Sequence, residues 1–228
     1  VKVVVSASVP ELALKQLEKQ FDVVLFHTEG LTYPAISDHP DVFLSPMENG
    51  FIGAPNLPEK ITNGFRDAGI EWIEGKYPVG MKYPESARYN AVITESFFIH
   101  QLQFTDPFLL HFHKEKTQIR VNQAYTRCNL LPLRNNCFIT SDKGIEKALV
   151  NHGLKAHYVN PQGILLPGFQ HGFFGGTCGI AGNTVYFLGH LQHHPQGKSI
   201  RAWFEALEYD ICCLYDGPLF DGGSLFFV

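Results

Sequence analysis

The 228-residue sequence has little charge, no long apolar run and no paired-cysteine spacing. Each absence removes a class of function. Charged residues make up 18% and the formal net charge is -4. Without a basic surplus there is no electrostatic case for nucleic acid or for an anionic membrane surface. No run of 18 or more apolar residues occurs, so no membrane-spanning helix is expected. The stretch Val1 to Ser8 carries one Lys and too short an apolar run for a signal peptide. The five cysteines are Cys128, Cys137, Cys178, Cys212 and Cys213. Their odd number, one adjacent pair and the lack of CxxC or CxxH spacing argue against a disulfide framework and a structural zinc site. Reduced thiols in a cytoplasmic protein are the expectation, and no cofactor is implied.

What is there is apolar and heavily punctuated. The chain is 45% hydrophobic, with 21 Gly, 14 Pro and 19 Phe. Many short buried strands joined by turns account for that composition, in one domain over residues 1–228.

Spacing divides the chain into five units. Apolar residues at helical intervals predict helices over Val9–Gln20, Leu57–Ala68, Asp106–His113, Lys143–His152 and Lys198–Glu208. Ser8, Asn56, Asp106 and Ser141 with Asp142 stand where N-caps are expected. A strand follows each helix: Asp22–His27, Ile70–Glu74, Thr117–Val121, Leu154–Val159 and Asp210–Tyr215. After a loop comes another: Val42–Ser45, Ala91–Glu95, Cys128–Leu133, Thr177–Ile180 and Ser224–Val228. Four units then add a hairpin partner: Phe51–Ala54, Phe97–Ile99, Cys137–Thr140 and Thr184–Leu188. The fifth lacks one, and Val1–Ser6 supplies it from the other end of the chain.

Positions recur at intervals of 49 (Asp41 to Asn90), 50 (Cys128 to Cys178) and 47 (Cys178 to Leu225). The segments FFGGTCG (Phe173–Gly179) and FDGGSLF (Phe220–Phe226) align at an offset of 47. The fold class is therefore α/β, a five-unit pseudo-symmetric α/β propeller closed by the N-terminal strand. The alternative is a doubly wound α/β sheet, which does not require a hairpin-like strand pair in each unit.

A closed ring of five such units resembles the pentein superfamily of amidino-group-modifying enzymes: arginine and agmatine deiminases, amidinotransferases and dimethylarginine hydrolases. DGGSLFF (Asp221–Phe227) looks like the Gly-rich approach to the terminal strand that carries their nucleophilic Cys. The resemblance implies chemistry on a small guanidino compound, with Asp41 placed to pair with the cationic group. It also implies a divergent member. The position of the terminal Cys falls at Leu225 or Phe226, that of a catalytic acid near Asn90, and that of a His near Arg127 or Cys128.

In a propeller, equivalent positions converge on the axis: here Asp41, Asn90, Cys128, Cys178 and Leu225. Cys178 and Cys128 are candidate catalytic thiols. One follows a Gly-Gly-Thr turn and the other follows Arg127, and a nearby cation favours the reactive thiolate. The competing reading is two small core residues where strands crowd. Asp38, His39 and Asp41 form a second constellation, in which a carboxylate orients an imidazole as general base; the competing reading is an Asx turn bent by Pro40. His190 and His194, in GHLQHHP with His193, are the remaining candidates, His190 as catalytic and His194 as substrate-binding. A metal there lacks a fourth ligand, so none is assigned.

The loops Thr28–Pro40, Gly75–Tyr89 and Asn160–Gly172 link the same pair of strands in different units. They bring Tyr33, Tyr77, Tyr83, Tyr89, Phe169 and His171 to one end, a mouth suited to a cationic or planar small molecule. Two functions fit. One is a hydrolase or transferase acting on a small guanidino or related nitrogenous compound through an axial thiol. The other is a non-catalytic small-molecule-binding protein that kept the fold and lost the catalytic residues.

Overall fold

In the computed structural model, which describes residues 1–228, one local pattern recurs five times. β1 (Lys2–Ser6) leads through α1 (Glu11–Leu17) to β2 (Asp22–Phe26). The next unit is α2 (Pro40–Phe43), β3 (Leu44–Met47), β4 (Gly50–Gly53), α3 (Glu59–Asp67) and β5 (Glu71–Glu74). Then come β6 (Val92–Ile93), β7 (Phe97–His100), α4 (Pro107–Phe112) and β8 (Thr117–Arg120). The fourth stretch is α5 (Thr126–Asn129), β9 (Leu130–Leu133), β10 (Cys137–Thr140), α6 (Lys143–Asn151) and β11 (Lys155–Tyr158). The last is β12 (Cys178–Ala181), β13 (Thr184–Phe187), α7 (Gly197–Ala206) and β14 (Asp210–Cys213), before the terminal β15 (Phe226–Phe227).

The strands form five separate three-stranded sheets, β15-β1-β2, β3-β4-β5, β6-β7-β8, β9-β10-β11 and β12-β13-β14. In each, the central strand pairs antiparallel on one side and parallel, across a helix, on the other. A doubly wound fold needs one continuous sheet, and this chain has none. The N-terminal strand completes the last unit: Val3 pairs with Phe227 and Val4 with Phe226.

Four of the helices present an i, i+4 apolar pair to their sheets, and α4 buries Leu109 alone. The pairs are Ala13 and Leu17, Ile61 and Phe65, Ile145 and Leu149, and Ile200 and Phe204, all buried. Burying each such large side chain contributes about 2 kcal/mol. Two expected caps form. Asp106 accepts from the Phe108 and Leu109 amides, and Asp142 from that of Ile145. Ser8 and Asn56 do not cap, because Pro10 and Pro58 take the position before the helix. Ser8 Oγ instead donates to Asp38 Oδ2 at 2.9 Å, and Asn56 bonds the Val79 backbone.

Two segments that alternate like strands are single helical turns: Val42–Phe43 lies in α2, and Cys128–Asn129 in α5. These turns form the axial ends of their units. The units meet there through backbone bonds. The Arg127 amide donates to Asn90 O (3.0 Å), Ser224 N to Gly176 O (2.9 Å) and Asp41 N to Gly223 O (3.2 Å). No helix is long and apolar enough to cross a membrane.

Candidate functional site

At the axis the side chains of four units knot together. Cys128 Sγ donates to Asp41 Oδ1 at 3.2 Å. Asn90 Nδ2 donates to Asp41 O (2.7 Å) and lies 3.1 Å from Cys128 Sγ, while its Oδ1 accepts from the Cys128 amide. From the last unit, Ser224 Oγ donates to Asp41 Oδ2 at 2.6 Å. All four residues are buried.

This knot forms part of the floor of a cavity of about 150 Å³. His39, Cys128 and Asp221 face it, and Tyr33, Ile36, Tyr125, Leu166, Phe169, His171 and Phe173 wall it. Asp221 is 1% exposed. Its Oδ2 accepts from the Phe173 amide (2.8 Å) and its Oδ1 from Gly223 N (3.2 Å). His39 Nδ1 stands 3.8 Å from Asp221 Oδ1 and has no hydrogen-bond partner. Two glycines make this approach possible. A Cβ at Gly176 would overlap the Asp221 carboxylate, and one at Gly223, where φ is +73°, would overlap His39. The two aligned Gly-Gly segments are thus the cradle of the cavity.

Burial dominates the electrostatics. It raises the Asp221 carboxyl to about 6, against the opposing influence of His39. It also pushes the Cys128 thiol well above its usual range, and the Asp41 and Asp221 carboxylates add to that rise. The expected activation of Cys128 by Arg127 is not what the geometry provides. The Arg127 guanidinium points away, donating to Gly175 O (2.8 Å) and Cys178 O (3.4 Å) with Phe226 beneath it. Neither Asp41 nor Asp221 has a Lys or Arg within ion-pair distance.

Of the residues singled out from sequence, Asp41, Asn90, Cys128 and His39 come together. Cys178 does not join them. It begins β12, one step beyond the axial turn, with Sγ toward Phe174 O at 3.7 Å, and burial pushes its thiol up to about 12. Asp38 lies outside the cavity, tying Thr28 N, Ser8 and His27. The histidines of the cluster each have a separate hydrogen-bond partner. His190 Nδ1 accepts from Gln192 N, His193 Nε2 faces Asp216 Oδ1 at 2.7 Å, and His194 bridges Asn160 O and Gln196 N. His190, His193 and His194 line a separate open pocket with Gln196 and Arg201, which shares no residue with the cavity at Cys128. Of the six mouth aromatics, Tyr33, Phe169 and His171 line the cavity. Tyr83 packs on Tyr125, Tyr89 is buried against Asp106, and Tyr77 lies under Lys76 and Arg88. Sequence reasoning missed Asp221, Ser224 and Tyr125 as site residues. The first two stand in DGGSLFF, whose alignment with FFGGTCG was the signal for an axial position.

Residues 4–226 match the model of a family described as a family of unknown function, DUF6873. No curated protein matches the sequence. Several solved structures share the fold. Agmatine deiminase of C. jejuni aligns over 93% of this chain and 87% of its own, with a TM-score of 0.57 and 10% identity. The amidinotransferase of saxitoxin biosynthesis from Microseira wollei aligns over 93% and 87%, at 0.54 and 12%. A cyanobacterial arginine dihydrolase aligns over 95% of this chain at 0.55 and 11%, and this chain spans 36% of its length. At such identities the likeness is one of fold: the chain shares the five-unit architecture of these three enzymes.

Proposed function

This chain belongs to the family of unknown function DUF6873, and we propose that its axial cavity takes a small guanidino or related nitrogenous cation on which the Cys128 thiol acts. One observation carries the reading. Asp221 is buried in the cavity lining and Asp41 is buried behind Cys128, and neither has a Lys or Arg within ion-pair distance. A buried carboxylate with no fixed cation beside it is costly even when hydrogen-bonded, and a planar cation entering between Tyr33, Tyr125 and Phe169 would offset that cost, with added attraction from the ring faces. The structural neighbours named above include an agmatine deiminase and an arginine dihydrolase, which supports a guanidino compound as the ligand class.

The chemistry follows from the floor. A bound cation beside Cys128 lowers the cost of forming thiolate, so the resting thiol is switched on by its own substrate. The thiol proton passes to Asp41 Oδ1, the atom it already faces. The sulfur lone pair then attacks the amidino carbon, forming a C–S bond. Breaking one C–N bond expels an amine, which leaves with a proton, and the amidino group stays on sulfur. Water, or a second amine, then displaces the sulfur, which takes back its proton.

A second reading, binding without turnover, is favoured by the same thiol. Burial and two carboxylates keep it protonated until a cation arrives. Agmatine, arginine and methylguanidine, added in millimolar amounts, separate the two readings. Raised thermal stability, with a covalent adduct by mass spectrometry that Cys128→Ser abolishes, supports the enzyme. Stabilisation with neither adduct nor turnover supports binding alone. No stabilisation by any cation overturns both.

A further inference from the structure

We infer that His39, Asp41 and Cys128 form a binding site for a thiophilic divalent cation, zinc by the chemistry of the donors. A His39 ring nitrogen, an Asp41 carboxylate oxygen and Cys128 Sγ all lie within 4.8 Å of one another. All three residues are at least nine-tenths buried. They come from two different units, so no ligand-spacing motif announces them in sequence. A second observation points the same way. His39 Nδ1 is buried without any hydrogen-bond partner, and a polar atom left so is destabilising unless something else satisfies the ring.

The donor set selects the ion. Thiolate with imidazole and one carboxylate suits zinc and disfavours magnesium or calcium, which prefer all-oxygen shells. Tetrahedral zinc, with bonds of roughly 2.0–2.3 Å, needs ligand atoms some 3.3–3.7 Å apart. Cys128 Sγ and Asp41 Oδ1 already stand 3.2 Å apart. Three protein ligands leave a fourth position, which opens on the cavity beside Asp221.

The surroundings hold these ligands in place. Ser224 Oγ fixes Asp41 Oδ2 and leaves Oδ1 facing the sulfur. Asn90 Nδ2 is placed to donate to the sulfur at 3.1 Å, and Gly223 lets backbone press against His39. The charges balance as well. The ion displaces the thiol proton to solvent, and its two positive charges meet the thiolate and the Asp41 carboxylate. This site does not depend on the guanidino reading, although a metal there covers the thiol and would compete with a cationic ligand.

The test uses the full chain, stripped with a chelator, with no guanidino compound present. Cobalt(II) should give thiolate-to-metal charge-transfer absorption. Zinc, titrated against a chromophoric chelator, should bind one per chain and release one proton. Cys128→Ser and His39→Asn should each weaken zinc by at least about 100-fold, beyond the range of outer-shell changes. Cys178→Ser and His193→Ala should leave it unchanged. Should the site variants fail to fold, X-ray absorption on the wild-type zinc form decides: one sulfur ligand supports the site. A shell of nitrogen and oxygen alone, no stoichiometric zinc, or equal affinity in Cys128→Ser overturns it. Thermal shifts with agmatine, measured separately, report on the guanidino reading whichever way zinc falls.

Discussion

Cys128 Sγ meets Asp41 Oδ1 at 3.2 Å across 87 residues of sequence. The same carboxylate receives Ser224 Oγ from the segment before β15, so one buried side chain ties three of the five units together. Asp41→Ala strands a hydroxyl and a thiol in the interior. It should lower the unfolding free energy by about 2–4 kcal/mol, read by urea denaturation. Asp41→Asn keeps the shape and one acceptor and should cost clearly less. Equal loss in both variants would mean that the knot is held by packing and not by these hydrogen bonds.

Asp221 is the buried carboxylate that faces the cavity directly. If a cation is the ligand, Asp221→Asn should weaken agmatine binding by about 2 kcal/mol or more, the usual cost of removing one partner of a desolvated charge pair. A neutral analogue of the same shape should bind the two forms alike. Calorimetry with both ligands makes the comparison. Unchanged agmatine affinity would remove the carboxylate from the ligand's contacts.

The architecture was legible because its code is local. The i, i+4 pairs Ile61 and Phe65, Ile145 and Leu149, and Ile200 and Phe204 sit in helices at the expected places. The N-terminal strand closes the last unit as the missing hairpin partner required. The axial turns were harder. Val42 and Phe43 continue a strand-like apolar run, and only contact with Gly223 of another unit makes them a helical turn. In the unit of β12 the axial turn is Gly175–Thr177, two glycines with no side chain to mark the axis. The eye therefore moves one step on, to Cys178. Asp221 reads as a turn residue in Asp-Gly-Gly. Its burial depends on Gly172 and Gly176, nearly fifty residues away, and no local pattern reports that.

Those glycines give a sharper test of the cradle. Gly176→Ala puts a methyl group where the Asp221 carboxylate lies, and the Phe173 and Gly223 amides hold that carboxylate in place. Gly223→Ala adds strain at positive φ to an overlap with His39. Each should cost about 2–4 kcal/mol of stability and abolish ligand binding at temperatures where the chain remains folded. Gly182→Ala is the control. It shares positive φ but has open space around it, so it should show the backbone penalty alone, about 1 kcal/mol, and keep binding intact.

Acid should loosen the protein through histidines remote from the cavity. His100 is fully buried, with Nδ1 2.6 Å from Thr105 Oγ1 and Nε2 donating to Ala124 O at 2.7 Å. Burial lowers its pKa from 6.5 to about 4. The folded chain therefore resists a proton that the unfolded chain accepts. The resulting stability is present above pH 6.5 and is lost as pH falls from there toward 4, in total about 3 kcal/mol. His113, stacked on Phe98, is shifted the same way by burial. Asp221 opposes them. Its carboxyl is raised to about 6, so its ionised form weakens the fold at neutral pH, and that penalty is relieved as pH falls from 6 toward its unfolded value of 3.8. Urea midpoints should thus fall between pH 7 and 5, by less than the two histidines alone would give. In Asp221→Asn the fall should be steeper. Ring resonances of His100 should remain those of the neutral form at pH 5; titration near 6.5 would show that water reaches the ring and would remove His100 from the acid response.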